Sequence, residues 1–83
     1  MNNGDRMGMN ILKKKEFQPN CHRREDGFIE CNPVIIEGNV RKEATLILEP
    51  MNDGNYVAHK IEGSAEVIVE LEKFLKGRII KPK

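Results

Sequence analysis

The sequence predicts an α+β fold: a small, mostly antiparallel sheet of four to five strands, one amphipathic helix over residues 64–76 packed on one face, and a C-terminal βαβ-like crossover. Three observations carry this. Apolar residues alternate with polar ones through the hairpin Ala44–Ile61, apolar residues recur at helical spacing from Val67 to Leu75, and turn-forming clusters punctuate the chain at Glu25-Asp26-Gly27, Gly38-Asn39 and Asn52-Asp53-Gly54.

In chain order, residues 1–10 are polar, contain Gly4 and Gly8 and show no apolar period, so they read as a flexible tail ahead of a single domain over 11–83. A short edge strand is expected through Ile11 and Leu12. The segment CHRREDGFIEC reads as a tight hairpin closed by a type I turn with Gly27 in the left-handed region, which sets Arg24 against Phe28 and Cys21 against Cys31. Strand character resumes at Pro33–Glu37, turns at Gly38-Asn39, and continues from Val40 to Glu49, with Ala44, Leu46 and Leu48 on one face and Ile47 on the other.

Pro50 ends that run and Tyr56–Glu62 returns. A two- or four-residue loop keeps Val57, His59 and Ile61 on the side of Leu46 and Leu48 and leaves Ile47, Tyr56 and Ala58 on the second face. A three-residue loop would break that pattern. Ser64 is a suitable N-cap, with Glu66 in the first helical turn, where the helix dipole favours a carboxylate. Val67, Ile68, Leu71, Phe74 and Leu75 form the apolar stripe, and Gly77 is the expected stop. Arg78–Ile80 then reads as a last short strand lying parallel to one of the others.

Length and composition bound the function. Eighty-three residues make one small core, 39% hydrophobic with 33% charged residues is ordinary for a folded soluble chain, and no apolar run approaches the roughly 20 residues of a membrane span. With no signal-peptide pattern at the N-terminus, the cytoplasm is the expected location. The net charge of +1 conceals a segregation: residues 1–24 sum to +4 (six basic, two acidic), residues 25–49 to −4 (two basic, six acidic), and residues 76–83 add four basic side chains. Basic ends and an acidic middle suit complementary contacts within one molecule or between two copies.

Cys21, His22, Cys31 and His59 are the residues with metal-ligand chemistry, but they follow no zinc-knuckle spacing. The two cysteines read as reduced thiols in the cytoplasm, although the hairpin register would permit a bridge in an oxidising compartment. No cofactor is expected. With one tyrosine, a lone serine at the helix cap and no glycine-rich phosphate loop, the chain does not read as an enzyme and shows no small-molecule substrate site. The expectation is a small protein-interaction or regulatory module, acting by self-association or by docking to a larger protein, with Ile47 and Tyr56 at the contact. The alternative is a nucleic-acid-binding accessory protein using Lys13, Lys14, Lys15, Phe17, Arg23 and Arg24 with the basic C-terminal segment.

Overall fold

The computed structural model describes residues 15–81. The expected tail, the edge strand at Ile11 and Leu12, and Lys13 and Lys14 lie outside the described residues. The α+β class holds, with a seven-stranded sheet in place of four to five strands. The strands are β1 (Lys15–Gln18), β2 (Cys21–Arg23), β3 (Ile29–Cys31), β4 (Val34–Glu37), β5 (Val40–Pro50), β6 (Tyr56–Gly63) and β7 (Ile79–Ile80), with the helix α1 (Ala65–Leu75) between β6 and β7.

The extra strands have a simple origin. Gln18 pairs with Val34 and Cys21 with Cys31, so one register runs through both segments and sets Pro19-Asn20 against Asn32-Pro33. Prolines have no N–H to give to a ladder, and each splits one long arm into two short strands. Asn20 adopts φ 52, and the gap is bridged by Asn32 N–H to the Asn20 carbonyl at 3.1 Å and by Asn20 Nδ2 to the Asn32 carbonyl at 3.0 Å. The same continuity holds along β5, where Val34 pairs with Glu43 and Cys31 with Leu46. β1 carries no strand signal of its own, because KEFQ offers one apolar residue and no alternation.

Two turns are built alike. Arg24 N–H donates to the Phe28 carbonyl at 2.7 Å and Gly27 N–H to the Arg24 carbonyl at 3.1 Å; Met51 N–H donates to the Asn55 carbonyl at 2.9 Å and Gly54 N–H to the Met51 carbonyl at 3.2 Å. In each, an aspartate accepts the amide two residues on, Asp26 from Phe28 and Asp53 from Asn55, both at 3.0 Å. The first confirms the expected Arg24–Phe28 and Cys21–Cys31 register. The second is a three-residue loop, the case that breaks the expected alternation in β6.

Its consequence is a bulge. From Ala44↔Gly63 to Ile47↔Lys60 the β5–β6 register is odd with even, but Leu48 pairs with Ala58, leaving His59 unopposed. Ile61 and Ala58 therefore both reach the core side, whereas Val57, opposite Glu49, falls on the second face. Tyr56 packs against the core instead of standing beside Ile47, and His59 is exposed instead of core-facing. The expected placements of Val57, Tyr56, Ala58 and His59 are thus reversed, because a loop length shifts pairing by one and the period of a strand is two.

The core is Cys31, Ile35, Ala44, Leu46, Leu48 and Ala58 from the sheet with Val67 and Leu71 from α1. Burying each of the larger side chains removes enough apolar surface to contribute about 1.5–3 kcal/mol. Ser64 stands at the N-cap without a side-chain cap bond, and its carbonyl accepts from Ile68 N–H at 3.1 Å. The left-handed residue that ends α1 is Lys76, φ 56, one position before the glycine expected there. Gly77 answers to packing: a Cβ on it would lie 2.7 Å from the Tyr56 ring. Gly63 is constrained more tightly, with φ 110 and a Cβ that would fall 2.5 Å from the Glu43 carbonyl oxygen and 2.6 Å from Ala44 Cα. After α1, β7 lies parallel to β6 with Tyr56↔Ile79 and Val57↔Ile80, as the crossover reading expects.

Candidate functional site

The helix side of the sheet is closed by an ionic margin. Lys42 Nζ bonds Glu66 Oε1, and Lys15 Nζ stands 3.7 Å from a carboxylate oxygen of Glu66 and 3.7 Å from one of Glu70. The hydrogen bond from Lys42 holds the Glu66 carboxyl below the usual carboxylate range, and the same bond raises the Lys42 ammonium above its ordinary value. Next to it Phe17 meets Phe74 with ring centroids 6.2 Å apart.

The second face has a different character. One row across four strands reads His22, Glu30, Ile47, Lys60, from the pairings His22↔Glu30, Glu30↔Ile47 and Ile47↔Lys60. Beside it stand Glu49 and its partner Val57, and then the bulge, where His59 Nε2 lies 2.8 Å from Glu49 Oε1 and the His59 ring stacks on Phe28 at 4.6 Å with the planes 24° apart. Arg24 Cζ sits 5.8 Å from the Phe28 centroid, extending the stack. Phe28, Ile47 and Val57 are half-buried and lie outside the hydrophobic cluster. Among the described residues no helix covers this face.

The predicted site residues divide accordingly. Ile47 is at the centre of the second face, and Tyr56 is on the other side. Lys15 is engaged by α1 and Phe17 by Phe74, whereas Arg23 donates to the Gly27 carbonyl at 3.3 Å and Arg24 to Asp26 at 2.8 Å. Nine residues of extended chain, roughly 30 Å, separate Lys15 from Arg24, so the sheet does not gather them into one patch. Cys21 and Cys31 are joined as a disulfide, their Cα atoms 4.0 Å apart, which corrects the reading of two reduced thiols. They face each other at a pair that exchanges no backbone hydrogen bonds, where side chains approach most closely. The bridge occupies both sulfurs, while His22 stands 3.8 Å from Glu30 and His59 bonds Glu49, so the four candidate ligands are not brought to one point.

Sequence reasoning missed Phe28, Glu49 and Val57. The signal for Val57 and for the exposure of His59 was present in Asn52-Asp53-Gly54, which repeats the Asp-Gly chemistry of Glu25-Asp26-Gly27 and therefore its three-residue geometry.

On the far side of α1 a shallow depression of about 560 Å³ is lined by Val69, Glu72, Lys73, Lys76, Gly77 and Arg78. Glu72 Oε2 is committed to the Ile79 N–H at 2.7 Å, and Val69 is 48% exposed. No helix among the described residues is long and apolar enough to cross a membrane. Compared with family models, curated proteins and solved structures, the chain finds no match.

Proposed function

We propose that this chain is a small non-enzymatic interaction module that works by protein contact, including contact with its own copies, and that the contact surface is the sheet face opposite α1. The observation that supports this is the placement of Ile47 at the centre of that face, with Phe28 and Val57 nearby and Glu30, Glu49 and Lys60 around them. An apolar centre with a charged rim is the composition of a docking surface. A nucleic-acid reading draws less support, since Lys15, Phe17 and Arg24 each have an intramolecular partner and are spread along the sheet.

Light scattering at micromolar to millimolar concentration tests the proposal. The chain should exceed its monomer mass of 9.5 kDa, and Ile47→Asp should return it to that mass with its fold intact by circular dichroism. An Ile47→Asp variant that associates as well as the parent chain would place the contact elsewhere. Retention on heparin at physiological salt would favour the nucleic-acid reading.

A further inference from the structure

The self-association just proposed leaves open which surface meets the second face of the sheet, and charge decides between the options. Around Ile47 stand Glu30, Glu49 and Glu62 with the cation Lys60, and at the edge of the face Arg24 is matched by Asp26, so the face is net acidic with the histidines neutral. The depression on α1 has the opposite balance: Lys73, Lys76 and Arg78 stand against Glu72 and the neighbouring Glu70, so the patch is net basic. Among the described residues neither Lys76 nor Arg78 forms an ion pair, and Lys73 reaches only Glu70, at 3.6 Å.

Each patch also has an apolar centre, Ile47 and Val57 on the sheet and Val69 on the helix. They lie on opposite sides of the molecule. Val67 and Leu71 bury one stripe of α1 in the core, and Val69, Lys73 and Lys76 at i, i+4 and i+7 form the stripe that points away from the sheet. One copy cannot bring its own two patches together.

Resting on the self-association reading, we infer that copies of this chain assemble head to tail, the acidic second face of one sheet receiving the basic outer face of α1 from the next copy. A two-fold dimer made by either patch against itself would set like net charges together, acidic on acidic or basic on basic. The head-to-tail arrangement sets an acidic patch on a basic one. Such a contact uses two different surfaces and does not satisfy both within a pair, so assembly continues beyond the dimer into a ring or a filament.

Sedimentation velocity over micromolar to millimolar concentrations reads this out. At low salt the weight-average mass should rise past twice the monomer mass. At about 1 M salt, where the screening length falls to about 3 Å, it should return to the monomer.

Two charge-reversed variants give the decisive comparison. Glu30→Lys/Glu62→Lys makes the sheet face basic, and Lys73→Glu/Lys76→Glu makes the helix face acidic. Each alone should sediment as a folded monomer, and an equimolar mixture should assemble again, because every face then meets its opposite. A parent chain whose mass stops at the dimer, or a mixture that stays monomeric while the parent chain assembles, would overturn the head-to-tail arrangement and leave the self-association reading standing. A parent chain that remains a monomer throughout would overturn both, and would point to residues 1–14 or to a different protein as the occupant of the face.

Discussion

His59 is the one residue of β6 with no partner on β5, and its Nε2 lies 2.8 Å from Oε1 of Glu49, two positions along β5 from Ile47. The bulge corrects the register that the three-residue loop at Asn52-Asp53-Gly54 imposes. Without it, Ile61 and Ala58 could not both face Leu46 and Leu48.

Deletion of His59 follows from this geometry. Because the residue is extra to the ladder, its removal joins Leu48↔Ala58 directly to Ile47↔Lys60 and leaves every other side chain on its present face. The deletion should fold cooperatively and lose about 1–2 kcal/mol, the worth of the stack on Phe28 and a half-exposed bond to Glu49. Deleting Ala58 instead keeps the same register but sets His59 in the buried Ala58 position opposite Leu48, and should cost several kcal/mol more, about the penalty of overpacking and of burying an unpaired imidazole. Chemical denaturation followed by circular dichroism distinguishes the two, and equal damage from both deletions would refute the bulge.

The Cys21–Cys31 bridge closes a segment with a sequence separation of 10, for which loop-closure entropy predicts about 2–3 kcal/mol of stabilisation. Replacing both cysteines by alanine, or adding a phosphine reductant, should lower the melting temperature by roughly 10–20 °C for a chain of this size. Thiol titration of the unfolded, unreduced protein should find none. Two titratable thiols would restore the reading from sequence.

The Lys42–Glu66 pair sets a pH dependence with a definite sign. Glu66 is held below its ordinary value, so its contribution is present above the carboxylate range near about pH 4 and is lost as pH falls through the lowered value. Lys42 is raised, so its contribution is present below about pH 10 and is lost as pH rises through the raised value. Lys42→Met removes both. The melting-temperature gap between the parent chain and this variant should be constant from about pH 5 to 9 and close at both extremes. A gap that persists at about pH 2 would show that the lysine stem, and not the ion pair, is responsible.

Several features of the fold follow from local chemistry and are readable without the structure. Glu25-Asp26-Gly27 specifies its turn because aspartate caps the amide two residues on and glycine tolerates φ 90, and that turn fixes Cys21 opposite Cys31. The stripe through Val67, Leu71 and Leu75 specifies α1 and its buried side because a helix repeats every 3.6 residues. What was not readable depends on register. β1 carries no periodic signal of its own and forms because Ile35 and Ile36 across the sheet hold Phe17 and Glu16 in line.

By itself, then, the sequence determined the class of the fold, the positions of its turns, and which residues of β5 and, apart from the exposed Phe74, of α1 pack into the core, since each depends on spacing within one segment. Only the tertiary structure decided which side Val57, Tyr56 and His59 face, that Cys21 and Cys31 are joined, and that an acidic sheet face and a basic helix face lie on opposite sides of one molecule. Those outcomes depend on how two segments align. A single residue of loop length or one bulge reverses that alignment while leaving the hydrophobic pattern of each strand unchanged.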